Sequence, residues 1–86
     1  MYDVVLSAEA RRVYAQAPPA LQRKLDRCFD QLKQDPRRHP NIKRLKGDYR
    51  AAWRFRVADY RVVYLLDDAV ALVTIVNIVN RRDAYD

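Results

Sequence analysis

The stretch that decides the fold is YRAAWRFRVADYRVVYLL, residues 49–66. Its first half, Tyr49–Val57, alternates large apolar residues with arginine and alanine, and its second half, Tyr60–Leu66, is rich in β-branched and aromatic residues. Alternation with a period of two is typical of a strand that buries one face, so we predict two strands joined by a turn at Ala58-Asp59. This stretch therefore indicates a β-hairpin.

A two-residue turn between these strands fixes which residues lie opposite each other. Arg56 then pairs with Arg61, and Arg54, Arg56 and Arg61 share one face of the sheet. The opposite, apolar face would hold Trp53, Phe55, Val57, Tyr60, Val62 and Tyr64. Like charges directly opposite each other destabilise a sheet, unless an anion lies between them, an acidic side chain neutralises them or they splay into solvent. We expect the arginine side chains to project from their face and not to pack in the core.

The rest of the chain supplies two helices and further strands. Tyr2–Leu6 reads as a short first strand, and Ala8–Gln16 reads as a helix that ends before a proline pair. A second helix begins at Pro19, and Val70–Val79 reads as the last strand. The order β-α-α-β-β-β predicts a single α+β domain over residues 1–86, with an antiparallel sheet and a helical hairpin on one face.

Composition argues against several classes of protein. The chain has 86 residues, of which 50% are hydrophobic, enough for one modest core. A single cysteine, Cys28, and a single histidine, His39, argue against a disulfide framework and a zinc site. No apolar run approaches the roughly 20 residues that span a bilayer, and the first ten residues lack a signal-peptide pattern. We expect a cytoplasmic domain without metal, cofactor or membrane association, with Cys28 in the core and His39 in a surface loop.

Positive charge is concentrated in one segment. The chain carries +6 overall, and residues 37–61 contain nine basic and two acidic residues. Thirteen of the seventeen cations are arginine, the side chain best suited to bidentate phosphate contact. Such a basic stripe is typical of a protein that binds nucleic acid or an acidic protein, although solvated surface charge gives the same pattern.

Two stretches resemble the RelE/ParE toxin superfamily. LKGDYRAAWRFRVADYRVVY, residues 45–64, resembles its core, in which a Leu-Lys-Gly step and an aromatic precede an Arg-x-Arg strand, a Gly-Asp-Tyr-Arg turn and a closing tyrosine. NIVNRRDAYD, residues 77–86, resembles its last strand and its Arg-Arg-Asp-x-Tyr signature. The resemblance covers nearly the whole chain. It implies a toxin of a type II toxin–antitoxin system, held in a hetero-oligomer by a cognate acidic antitoxin.

The RelE branch implies a ribosome-dependent mRNA endonuclease, which cleaves in the ribosomal A site by attack of a ribose 2′-OH. By position, Arg54 and Arg56 match the basic pair of that branch, and Arg61 matches its next arginine. Arg81 and Tyr85 match the arginine and the tyrosine of its tail. These five are the predicted catalytic residues. The cations predicted to bind RNA are Lys43, Arg44, Lys46 and Arg50.

The sequence departs from the branch at positions that bear on proton transfer. Arg54 and Arg56 stand where some relatives have lysine, and Asn80 stands where histidine is frequent. Arginine stays protonated, with a pKa above about 12, so it is a poor general base. Tyr85 is the evident candidate for proton transfer.

Two other functions remain open. The ParE branch implies a DNA gyrase inhibitor without nuclease activity. A basic RNA- or protein-binding module without toxicity would show the same charge distribution.

Overall fold

The computed structural model describes residues 1–46 and 51–80, which form two helices packed on a five-stranded sheet. In chain order the elements are β1 (Asp3–Leu6), α1 (Ala8–Gln16), α2 (Pro19–Gln34), β2 (Ile42–Arg44), β3 (Ala52–Val57), β4 (Tyr60–Asp67) and β5 (Leu72–Asn80). The predicted order and the α+β class are confirmed, with β2 as an additional strand. Three residues, two of them cationic, are too few to show an alternation, which is why β2 escaped prediction.

The two helices begin and end for local reasons. The Ser7 hydroxyl accepts the Ala10 backbone N–H at 3.0 Å and caps α1. α1 ends where Pro18 drives Ala17 into extended backbone. Pro19 then occupies the first turn of α2, where its missing N–H costs no hydrogen bond. Neither of these helices has the length and apolar character needed to cross a bilayer.

The sheet has the strand order β1-β5-β4-β3-β2. Neighbouring strands from β2 to β5 are antiparallel, whereas β1 runs parallel to β5. The prediction of an antiparallel sheet is therefore wrong for this one pair. The helical hairpin separates β1 from the other strands, and a connection of that length allows parallel pairing, which a tight turn does not.

The β3–β4 hairpin has the register expected from its sequence. The observed pairs are Val57 with Tyr60, Arg56 with Arg61, Phe55 with Val62, and Trp53 with Tyr64. Ala58 opens the turn with a φ of 52°, in the left-handed region where a side chain with a Cβ is disfavoured. The turn therefore keeps the register at a local steric cost.

The core lies between the helices and one face of the sheet. Its largest fully buried side chains are Tyr64, Leu25, Leu32, Ile75, Val62 and Val73. The Tyr64 hydroxyl donates to the Pro36 carbonyl at 2.6 Å, and burial raises its pKa. This bond ties the connection between α2 and β2 to the centre of the sheet.

A cluster of polar side chains on the surface links the connection between α2 and β2 to the far end of the sheet. The Arg37 guanidinium lies 2.6 Å from the Asp68 carboxylate and donates to the Tyr2 hydroxyl at 3.3 Å. Tyr2 in turn donates to Asp68 at 2.7 Å. The Arg37 guanidinium holds the pKa of the Asp68 carboxyl below its usual value. The cluster links the residues before β1, the connection after α2 and the turn after β4.

Candidate nucleic-acid interface

Basic side chains of three strands share the sheet face that lies opposite the core. We call this surface the Arg face and define it as Lys43, Arg54, Arg56 and Arg61. Lys43 pairs with Arg54, and Arg56 pairs with Arg61. Each of these residues alternates with a neighbour that faces the core, such as Phe55 between Arg54 and Arg56. The prediction that the three arginines share one face is confirmed.

The three arginines differ in exposure. Arg56 is exposed, whereas Arg54 and Arg61 are only 7% and 6% exposed. Nη1 of Arg54 donates to the backbone carbonyl of Asn41 at 2.7 Å. Arg54 and Arg61 lie on the Arg face and outside the core cluster, as expected, but they are nearly buried there. A guanidinium has five donors, so it can be buried where neighbouring acceptors satisfy them.

Arg56 keeps its charge available to an anion. Within residues 1–46 and 51–80, the ion pairs are Arg12 with Glu9 and Arg37 with Asp68, and neither involves Arg56. The carboxylate of Asp68, which follows β4, forms its ion pair with Arg37 and not with Arg56.

The structure divides the predicted RNA-binding residues between two surfaces. Lys43, Arg44 and Lys46 are all exposed, but only Lys43 belongs to the Arg face. Arg44 pairs with Trp53 on the other side of the sheet, and its guanidinium lies 5.7 Å from the Trp53 ring centroid. Arg37 approaches the same ring at 5.9 Å, so Trp53 contacts two cations.

Three predicted site residues cannot be placed. Arg50, Arg81 and Tyr85 lie outside the described residues. Their roles stay predictions.

Neither Cys28 nor His39 is placed for chemistry. Cys28 is 2% exposed, as expected for a core residue, and burial raises the pKa of its thiol, which keeps it protonated and unreactive. The His39 ring stacks on Phe55 with 4.8 Å between centroids, and its Nδ1 accepts the Asn41 backbone N–H at 3.0 Å. In the part of the chain that the structure describes, no group of three His, Cys, Asp or Glu could hold a metal ion.

A groove between α2 and β3 contains two cations that the sequence analysis did not single out. We call it the α2–β3 groove; its volume is about 400 Å³. Its lining includes the buried apolar side chains Cys28, Phe55 and Val57 and the cations Lys24, Arg27 and Arg56. Lys24 and Arg27 lie about one turn apart on α2, beside its apolar stripe. The sequence shows their spacing, but it gave no reason to select them because they lie outside the basic segment 37–61.

Comparison with known proteins gives one family. The family model described as "ParE toxin of type II toxin-antitoxin system, parDE" matches residues 6–85. The match therefore spans the Arg face and the predicted tail residues Arg81 and Tyr85. Curated proteins give no match.

Similar solved structures include toxins in complex with their antitoxins. The toxin–antitoxin complex RelBE2 from Mycobacterium tuberculosis matches with a TM-score of 0.80 at 25% identity, over 93% of this chain and 98% of that chain. The archaeal RelE–RelB complex from Pyrococcus horikoshii OT3 matches with a TM-score of 0.82 at 23% identity, over 96% and 98%. The intact E. coli RelBE complex matches with 0.80 at 17% identity, over 100% of both chains. These chains share the fold over nearly their whole lengths.

Proposed function

The chain belongs to the ParE toxin family of type II toxin–antitoxin systems, and from that premise we propose that it cleaves translated mRNA in the ribosomal A site. The toxin role follows from the family, and the choice of target rests on the Arg face. Its place of action is the cytoplasm, where ribosomes and mRNA are its partners. A cognate acidic antitoxin restrains it in a hetero-oligomer, and the reaction needs no cofactor.

The observation that carries this proposal is the direct pairing of Arg56 with Arg61 on the Arg face. Like charges in this position destabilise a sheet. Arg56 nevertheless remains exposed, without an ion pair to another described residue. A phosphate group bound by the exposed Arg56 would lower the positive charge of this face, and the planar fork of arginine suits bidentate phosphate contact. A phosphodiester of mRNA supplies such a group.

The reaction is an internal transfer at that phosphodiester. The ribose 2′-oxygen forms a bond to phosphorus, the bond from phosphorus to the 5′-oxygen breaks, and a cyclic phosphate remains. One proton leaves the 2′-OH and another reaches the 5′-oxygen. The exposed Arg56 contacts the phosphate, and the nearly buried Arg54 and Arg61 add positive charge beside it. Together they stabilise the extra negative charge of the transition state, because fixed positive charge costs no reorganisation at the moment of reaction.

Proton transfer requires another group, because arginine does not give up its proton at neutral pH. We assign the donation of a proton to the 5′-oxygen to the Tyr85 hydroxyl, while solvent water takes the proton of the 2′-OH and returns one to Tyr85. Arg81 is an additional phosphate contact. Both lie in the tail, outside the described residues. General acid–base groups of this kind contribute about 10²–10⁴-fold to a rate.

Inhibition of DNA gyrase is the second candidate function. The observation in its favour is the family model itself, which describes ParE toxins. In that case the Arg face would contact a protein, and Tyr85 would have no proton to transfer. A basic module without toxicity is the third candidate, and it would neither cut mRNA nor trap gyrase.

Primer extension on a translated reporter mRNA, after induction of the protein, distinguishes these functions. The matched control is the same mRNA without its start codon. We expect discrete new 5′ ends inside codons of the translated mRNA alone. Trapped gyrase–DNA complexes without mRNA cuts would show that the protein inhibits gyrase and is not a nuclease. The absence of both would leave the module without toxicity.

A further inference from the structure

We propose that the α2–β3 groove binds a short acidic segment of the antitoxin, at a site beside α2 that shares only Arg56 with the Arg face. The existence of that partner rests on the proposed function. The new content is the surface that its carboxylates contact. An acidic peptide fits the groove because the rim is positively charged and the floor is apolar.

The rim of the groove carries positive charge. Lys24, Arg27 and Arg56 are exposed, and none of the described residues that line the groove is acidic. None of the three takes part in the ion pairs of the described residues. Arg54 and Arg61, in contrast, present little surface to a partner. An acidic partner therefore finds accessible cations beside α2, which the concentration of charge in residues 37–61 did not indicate.

The floor of the groove favours a peptide over an RNA strand. Cys28, Phe55 and Val57 are apolar and between 2% and 7% exposed. A phosphodiester chain brings charge but no aliphatic group to cover such a floor, whereas a peptide brings carboxylates and apolar side chains together. His39 adds a donor to the lining. Its Nδ1 accepts from Asn41, so the proton of the neutral ring is on Nε2.

The spacing along α2 sets the length of the segment. The α2 residues that line the groove are Lys24, Arg27, Cys28 and Gln31. At 1.5 Å per residue they extend over about 10 Å. Three extended residues cover about the same length. The groove therefore fits one apolar side chain between two carboxylates of a partner.

The test compares Lys24→Glu with Lys33→Glu, which makes the same change on the same helix but outside the groove. The probe is the purified antitoxin encoded beside the toxin, and the measurement is its dissociation constant by titration calorimetry at low and high salt. We expect Lys24→Glu to weaken binding about tenfold or more, and Lys33→Glu less than about threefold. Screening should shrink the difference at about 1 M salt. Lys24→Gln, which removes the charge without reversing it, should lie between wild type and Lys24→Glu.

Equal effects of Lys24→Glu and Lys33→Glu, or no effect of either, would overturn the proposal. Weaker ribosome binding by Lys24→Glu with unchanged antitoxin affinity would assign the groove to RNA, and so would also overturn it. Growth arrest by the toxin alone reports on the proposed function separately. If the wild-type protein does not arrest growth but its binding to the antitoxin depends on Lys24, the proposed nuclease activity is refuted and the proposed antitoxin site in the groove is kept.

Discussion

Replacing Arg56 by alanine should lower the cleavage rate but leave the stability of the fold nearly unchanged, because Arg56 is exposed and lies directly opposite Arg61. Removing one of two opposed like charges relieves about 0.2–1 kcal/mol. The lower strand propensity of alanine offsets a similar amount. We therefore expect the free energy of unfolding to stay within about 0.5 kcal/mol of wild type, or about 2–4 °C in Tm. Cleavage should fall about 10²–10³-fold, because one charge contact to the transition state is lost.

The assay measures the cleavage rate of ribosome-bound mRNA beside a thermal melt followed by circular dichroism. Arg38→Ala is the matched control: its side chain is exposed in the connection between α2 and β2, and only its backbone N–H bonds to another described residue. It should keep both rate and Tm. Wild-type cleavage by Arg56→Ala would remove Arg56 from the site. A fall in Tm of more than about 8 °C would refute the argument from charge repulsion.

Three further changes test the burial, the tail and the turn. Arg61→Ala should lower cleavage and also destabilise the fold by about 1–3 kcal/mol in urea unfolding, because removal of a nearly buried charged side chain leaves its partners unsatisfied. Wild-type stability of this variant would mean that the buried Arg61 side chain does not stabilise the fold. Tyr85→Phe should slow cleavage about 10²–10⁴-fold with unchanged ribosome co-sedimentation, and an unchanged rate would exclude a proton-transfer role. Ala58→Gly should stabilise the fold by about 0.5–1 kcal/mol, since glycine tolerates the φ of 52° but loses more chain entropy on folding; an unchanged urea midpoint would argue against strain in this turn.

Local patterns were sufficient to predict the hairpin and the Arg face. The alternation of Trp53, Phe55 and Val57 with arginines fixes which side chains share a face, and the two-residue turn then fixes the register. Both follow from residues close together in the chain. The same reasoning does not extend to β1, whose partner strand is set by how the helical hairpin packs.

The exposure of individual site residues depends on contacts that no local pattern shows. Arg54 is held by the carbonyl of Asn41, thirteen positions away. The groove likewise needs Lys24 on α2 and Phe55 on β3 to lie close together, which only the packing of helix on sheet brings about. Periodicity assigns a residue to a face, whereas burial on that face depends on distant parts of the chain.

The pairing of β1 with β5 also bears on when the protein can become active during its synthesis. The Ser7 hydroxyl reaches the Val76 carbonyl across 69 positions, and β1 has β5 as its neighbour in the sheet. Until Leu72–Asn80 has been made, the first strand has no strand to pair with. Contacts so distant in sequence form late in folding. The sheet is therefore complete only after β5 has been translated, so a growing chain that ends before β5 lacks the complete fold of the toxin.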